Sequence, residues 1–157
     1  MKREAIAVGM YPARLSADGR LRLPTNWRNL FVTSAAPIVL LAPIEKSYLT
    51  MVPECRIKME RKAARAAERR PRENDKWQKD RDAVIAGFRL AREVRIRSGG
   101  RFTIPRELRD LVFPSPEVVL AGCFDSAEIW PRDEWEKVES GLLRNAKLLK
   151  ATSRLGF

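Results

Sequence analysis

Two glycine–arginine pairs, Gly19–Arg20 and Gly100–Arg101, are the residues of this sequence best placed to do chemistry, and that chemistry is the binding of anions. Glycine allows the positive φ that a tight turn demands. An arginine beside it stands on an exposed corner, where its planar fork can pair with guanine O6 and N7 or clamp a phosphate. Arg14 and Arg22 surround the first pair, and Arg95 and Arg97 precede the second. Strand alternation puts Arg14, Arg20 and Arg22 on the same side of their respective strands, and we expect these four flanking arginines to make phosphate contacts. Arg28 and Arg109 fall on short helical segments just downstream. They contribute to binding if those helices flank the ligand, and otherwise form a salt bridge or pack their stems.

The overall charge agrees with such a site. The chain has 157 residues, of which 31 are Lys or Arg and 20 are Asp or Glu, leaving a formal net charge of +11. A soluble protein that basic commonly meets a polyanion, because each phosphate it neutralises releases a condensed counterion. Hydrophobic residues make up 45% of the chain, enough for a core, so wholesale disorder is not expected. Histidine is absent, which removes His-based acid–base chemistry, Ser–His–Asp and Cys–His constellations and nearly all zinc sites. The two cysteines, Cys55 and Cys123, are far apart, without metal-like spacing, and read as small buried hydrophobes in a reducing compartment. The apolar run near the N-terminus is too short for a signal peptide, and no stretch approaches the roughly 20 apolar residues of a membrane helix. A soluble, intracellular protein with no cofactor and no small-molecule ligand is therefore expected.

An internal repeat positions the arginines. The segment RLSADGRLRLPTNWRNLF from Arg14 aligns without a gap on RIRSGGRFTIPRELRDLV from Arg95, an offset of 81 residues. Matching pairs include Arg14/Arg95, Gly19/Gly100, Arg20/Arg101, Pro24/Pro105, Arg28/Arg109 and Leu30/Leu111. In each copy an alternating strand leads into the glycine turn, and a second short strand follows, Leu21–Leu23 or Phe102–Ile104. Pro24 or Pro105 then suits the first turn of a helix. Trp27, Leu30 and Phe31 share one face of the first helix, and Leu108, Leu111 and Val112 one face of the second. The apolar runs Ile38–Leu41 and Val118–Leu120 are too short for core helices and read as β-hairpins. The unit is therefore β–turn–β–short helix–β–β.

Helices are expected after each unit. Between the repeats, residues 54–70 and 73–91 read as two helices broken at Pro71. Lys58, Arg61, Lys62, Arg65 and Arg69 form a basic face on the first, which reads chiefly as a solvated surface, although it could follow a DNA backbone or a neighbouring acidic surface. Trp77, Val84, Phe88 and Ala91 share one side of the second. After the second repeat, Trp135, Val138, Leu142, Ala146 and Leu149 recur at helical spacing as one apolar stripe. The tryptophans read as core or interface anchors rather than base-stacking platforms. The expected organisation is a first repeat over 1–55, a basic helical connector over 56–92, a second repeat over 93–131, and a C-terminal helix and tail over 132–157. One unit is too small to bury much core alone, so an α+β fold is expected in which the two tandem units interleave as an intrachain pseudo-dimer.

The G-R turn, the alternating strand ending in Pro, the amphipathic turn of helix and the apolar hairpin together resemble the swapped-hairpin AbrB domain. Two copies in one chain, with EIWPRDEWEKVE over Glu128–Glu139 and Gly9 eleven residues before Arg20, resemble the MraZ family. That resemblance implies a bacterial transcription regulator, cytoplasmic and nucleoid-associated. It implies binding to short direct repeats of double-stranded DNA upstream of the cell-division and cell-wall operon that encodes it, and assembly into a homo-oligomeric ring. It also implies that the Arg of a D-x-x-x-R motif in each repeat faces DNA; the matching residues are Arg20 and Arg101. The motif's Asp is replaced by Ser16 in the first repeat and by Arg97 in the second, and Asp18 stands where many relatives carry a basic residue. Two other readings stay open: a structural or interaction ring that has lost specific DNA binding, and an AbrB-type antitoxin. The periodic C-terminal helix weighs against the antitoxin, and an enzyme has no supporting constellation.

Overall fold

The computed structural model describes residues 5–68, 86–87, 89–145, 147 and 150. The expected helix over 73–91 lies almost wholly outside the described residues, as do Pro71, Arg69, Trp77, Val84, Phe88, Ala146 and Leu149.

The first repeat supplies β1 (Met10–Arg14), β2 (Arg20–Arg22), a 3-10 turn (Thr25–Trp27) running into α1 (Arg28–Phe31), and the hairpin β3 (Ile38–Ile44) and β4 (Tyr48–Pro53). Helix α2 (Glu54–Glu68) follows. The second repeat supplies β5 (Arg92–Arg95), β6 (Arg101–Thr103), α3 (Arg106–Val112), β7 (Glu117–Gly122) and β8 (Ala127–Pro131), and α4 (Arg132–Arg144) closes the described fold.

The strands form a six-stranded sheet in the order β1-β7-β8-β4-β3-β5 and a two-stranded ribbon, β2-β6. Exchanging β1–β4 with β5–β8 reverses the six-stranded order and leaves it unchanged, so the chain has a pseudo-two-fold axis. Every pairing in both sheets is antiparallel. The axis runs through Thr50↔Glu128 at the centre of the large sheet and through Leu21↔Phe102 in the ribbon. The first strand of each repeat pairs with the hairpin of the other, β1 with β7 and β5 with β3. Neither copy completes its own sheet, which is the interleaved pseudo-dimer expected from the size of the repeat unit.

The two copies do not keep one offset throughout. Equivalent backbone bonds, Leu15 N–H to Pro116 O and Ile96 N–H to Pro37 O, pair Pro37 with Pro116 rather than with the residue 81 positions on. The loop between α1 and β3 absorbs the difference, being two residues longer than that between α3 and β7. Prolines sit where the ladder spares them. Pro12 is on edge strand β1, and Pro43 lies beyond Leu41, where the β3–β5 pairing stops.

Side-chain alternation explains the core. Along β3 and β4 buried positions alternate with half-buried ones, so Val39, Leu41, Leu49 and Met51 point inward with no exposed surface. On the ribbon only Leu21 and Phe102 turn inward. Trp27 and Phe31 of the first repeat, and Leu108 and Val112 of the second, close the same cluster.

The expected burial of the cysteines needs correction. Cys55 is exposed, because it lies on the first turn of α2 opposite the half-buried Ile57. Cys123 is half-buried in the β7–β8 hairpin, and its thiol donates to Glu128 Oε1 at 3.0 Å. Burial pushes that thiol up to about 12, and the hydrogen bond and charge of Glu128 add to the shift. The apolar stripe of α4 lies outside the core. No residue of this helix is buried: Trp135 and Val138 are half-covered and Leu142 is 43% exposed. Trp135 nonetheless anchors the helix, with its indole N–H on Met10 Sδ at 3.3 Å and its ring 6.0 Å from that of Trp130.

Candidate nucleic-acid interface

The ribbon is short because each of its strands leaves a glycine turn and runs at once into a proline. Leu23 N–H donates to Gly100 O and Ile104 N–H to Gly19 O, both at 2.9 Å, so each turn is tied to the strand of the other repeat. Since Leu21 and Phe102 are committed inward, Arg20, Arg22, Arg101 and Thr103 must point outward, and all four are exposed. Arg22 lies directly opposite Arg101, and Arg20 opposite Thr103. Like charges directly opposite each other on a sheet are destabilising. A face of three arginines and one threonine therefore costs the free protein stability, and a bound polyanion would offset that cost. The shape fits as well, because the major groove of B-DNA admits a two-stranded β-ribbon.

Both turns need their glycines. Gly19 has φ +80 and Gly100 φ +77, the left-handed region that side chains disfavour. The structure adds a second reason at Gly19: a Cβ there would lie 2.5 Å from Cδ and Nε of Arg109. That guanidinium reaches across from the opposite repeat and donates from Nη1 to Ala17 O at 3.1 Å. The symmetry-related Arg28 donates from Nη2 to Gly99 O at 2.9 Å. Arg28 and Arg109, both half-buried, thus clamp the turns and are not on the outward face. Gly19→Ala is expected to lower stability by about 2 kcal/mol through strain at positive φ and displacement of the Arg109 clamp. Gly141→Ala is the control: nothing lies within 4 Å of the added methyl in α4, and stability should rise by about 0.5–1 kcal/mol. Urea unfolding of both variants checks this pair.

The remaining arginines are distributed unevenly. Arg14 is exposed on β1 and paired with Glu117, which also meets Arg132 at 3.7 Å. Arg20 lies 3.3 Å from the carboxylate of Asp18. Arg22 donates from Nε to Gly99 O at 2.9 Å. Arg95 ends β5, and Arg97 opens the second turn; both are exposed. The residues in the place of the motif's Asp behave differently. Ser16 Oγ accepts from Arg20 N–H at 2.9 Å, so the first turn keeps a neutral form of the brace that a carboxylate would make. Among the described residues, Arg97 makes no side-chain hydrogen bond that caps the second turn. On α2, Lys58, Arg61, Lys62 and Arg65 are all exposed, a basic face separate from the ribbon strands. Thr103 was not singled out from the sequence. The repeat alignment marks it, since it corresponds to Arg22.

Interleaved strands about a pseudo-two-fold axis, with glycine turns framing a basic ribbon, define a tandem AbrB-like β-protein. Comparison with known proteins gives the family. Residues 88–155 match the family model described as "MraZ protein, putative antitoxin-like". The chain is 31% identical over 124 residues to the transcriptional regulator MraZ of Syntrophobacter fumaroxidans, covering 78% of this chain and 77% of that one. It is 28% identical over 150 residues to the MraZ regulator of Alcanivorax borkumensis, covering 95% and 98%. With that of Neisseria meningitidis it shares 27% over 128 residues, 82% of each chain. The chain belongs to the MraZ family.

Proposed function

We propose that this protein is a transcription regulator that docks its β2–β6 ribbon in the major groove of double-stranded DNA. The observation that carries the reading is the outward face of Arg20, Arg22, Arg101 and Thr103, cationic at three of four positions and backed by the apolar pair Leu21 and Phe102. Curated relatives bearing the name transcriptional regulator, and the net charge of +11, support it. In this reading Arg20 and Arg101 take base edges or phosphates, while Arg14, Arg22, Arg95 and Arg97 contact phosphates. Arg28 and Arg109 hold the turns to which the contacting arginines belong.

The target is a set of direct repeats in the promoter of the chain's own cell-division and cell-wall operon. Several chains in a ring would engage several repeats at once, and effective concentration would multiply a weak single-chain contact. Exposed apolar side chains near β1 and on α4 suit such self-association, among them Val8 at 38%, Met10 at 44% and Leu143 at 65% exposure. Occupation of promoter DNA by the ring then obstructs polymerase in the cytoplasm, at the nucleoid.

Fluorescence-anisotropy titration against the duplex upstream of its own gene, with a scrambled duplex as control, tests the reading. The affinity should favour the upstream duplex. It should also fall linearly with salt on logarithmic axes, with a slope of about −0.9 for each phosphate neutralised. No binding even at low salt would overturn it.

A further inference from the structure

The pseudo-two-fold axis makes the two turns topologically equivalent, yet their charges differ. Segment Arg14–Arg20 holds Arg14 and Arg20 against Asp18, whereas the equivalent Arg95–Arg101 holds Arg95, Arg97 and Arg101 with no acid. The structure widens the difference. Both arginines of the first segment have a carboxylate partner, Arg14 with Glu117 and Arg20 with Asp18. Among the described residues no ion pair involves Arg95, Arg97 or Arg101. Arg22 from the first repeat also crosses to the second turn, where its Nε sits on Gly99 O. The position equivalent to Arg22 is Thr103, which brings no charge to the first turn. With the clamp Arg28, whose Nη2 also sits on Gly99 O, five guanidinium groups without a carboxylate belong to the second turn, whereas of the three at the first turn only the clamp Arg109 lacks one.

Accepting the DNA-binding reading on which it rests, we propose that the two turns are unequal anchors. The second-repeat turn, with Arg97 and Arg101, is the principal phosphate clamp, and Asp18 is a built-in attenuator of Arg20 in the first. The physical reason is competition. A guanidinium already paired with Asp18 must surrender that partner to bind a phosphate, and the remaining carboxylate then repels the duplex. Arg97 and Arg101 lose no such partner. Unequal anchors also give the docked chain a direction on DNA, which a ribbon with two equivalent turns would lack.

The test is a set of anisotropy titrations of the full-length chain and its variants against the upstream duplex over a salt series. Arg97, Asp18 and Arg20 are exposed, so each variant should melt like the parent. Arg97→Ser, which copies the residue of the first turn, should weaken binding about tenfold and make the salt slope shallower by about one. Asp18→Asn should strengthen binding about threefold. Arg20→Ala should cost only about threefold in the parent but about tenfold beside Asp18→Asn, a coupling between the two substitutions. Equal losses from Arg20→Ala and Arg101→Ala, with no effect of Asp18→Asn, would overturn the asymmetry while leaving DNA binding intact. A parent chain that binds no duplex at any salt would instead overturn the DNA-binding reading.

Discussion

A variant with both Arg20→Ala and Arg101→Ala is expected to lose at least about a hundredfold in DNA affinity while remaining folded. The two side chains occupy pseudo-symmetric corners of the ribbon, one at the head of each strand. Hydrogen bonds to a charged partner contribute about 1.5–3 kcal/mol, and with Arg101 near the upper end and Arg20 held below the range by Asp18 the pair together corresponds to two or more decades of affinity. Neither side chain is part of the core, and among the described residues the one side-chain partner of the two is the carboxylate of Asp18 on Arg20. Exposed ion pairs of that kind contribute little to stability. Removing Arg101 also relieves its cross-strand repulsion with Arg22, so melting should be unchanged or slightly later. Anisotropy titration beside thermal unfolding separates the two properties. Full affinity in a folded double variant would remove the ribbon from the binding site.

Trp27→Ala should have the largest effect on stability, about 4 kcal/mol. Trp27 has no exposed surface. Its indole N–H donates to Val8 O at 2.9 Å, its ring meets Tyr11 edge-on at 5.4 Å, and Phe31 lies 6.4 Å away. Truncation leaves a cavity between the N-terminal segment and α1 and strips the Val8 carbonyl of its donor. Small domains are stable by only about 5–15 kcal/mol, so the loss should be large enough to populate unfolded chains at physiological temperature. Trp27→Phe keeps most of the volume but not the hydrogen bond and should cost roughly half as much. Denaturant midpoints at constant slope measure both. A loss below about 1 kcal/mol for Trp27→Ala would mean that the core is held elsewhere.

Most of the architecture was legible from the repeat. A gap-free match of glycine, proline and arginine implied duplication, the alternation around each glycine implied strands, and the small size of one unit implied pairing within the chain. The correct side for Arg20 and Arg22 followed because a strand has period two. What escaped was set by contacts between the copies. Nothing in the sequence around Arg28 and Arg109 says that their guanidinium groups would find the carbonyls of Gly99 and Ala17, residues of the opposite repeat. The stripe on α4 has the period of a buried face, yet periodicity cannot say whether this chain or another copy covers it. Cys55 was misplaced because residue type predicts average burial, whereas its position on α2 decided the outcome.

Chemical footprinting of arginines tests the central claim most directly. The chain is treated with a guanidinium-specific dicarbonyl reagent with and without the upstream duplex, and each site is read by mass spectrometry. The ribbon account predicts that the duplex shields Arg20, Arg22 and Arg101, while Arg61 and Arg65 on the exposed face of α2 react equally in both samples. Shielding confined to Arg61 and Arg65, with the three ribbon arginines still reactive, would contradict it and move the DNA to the helix.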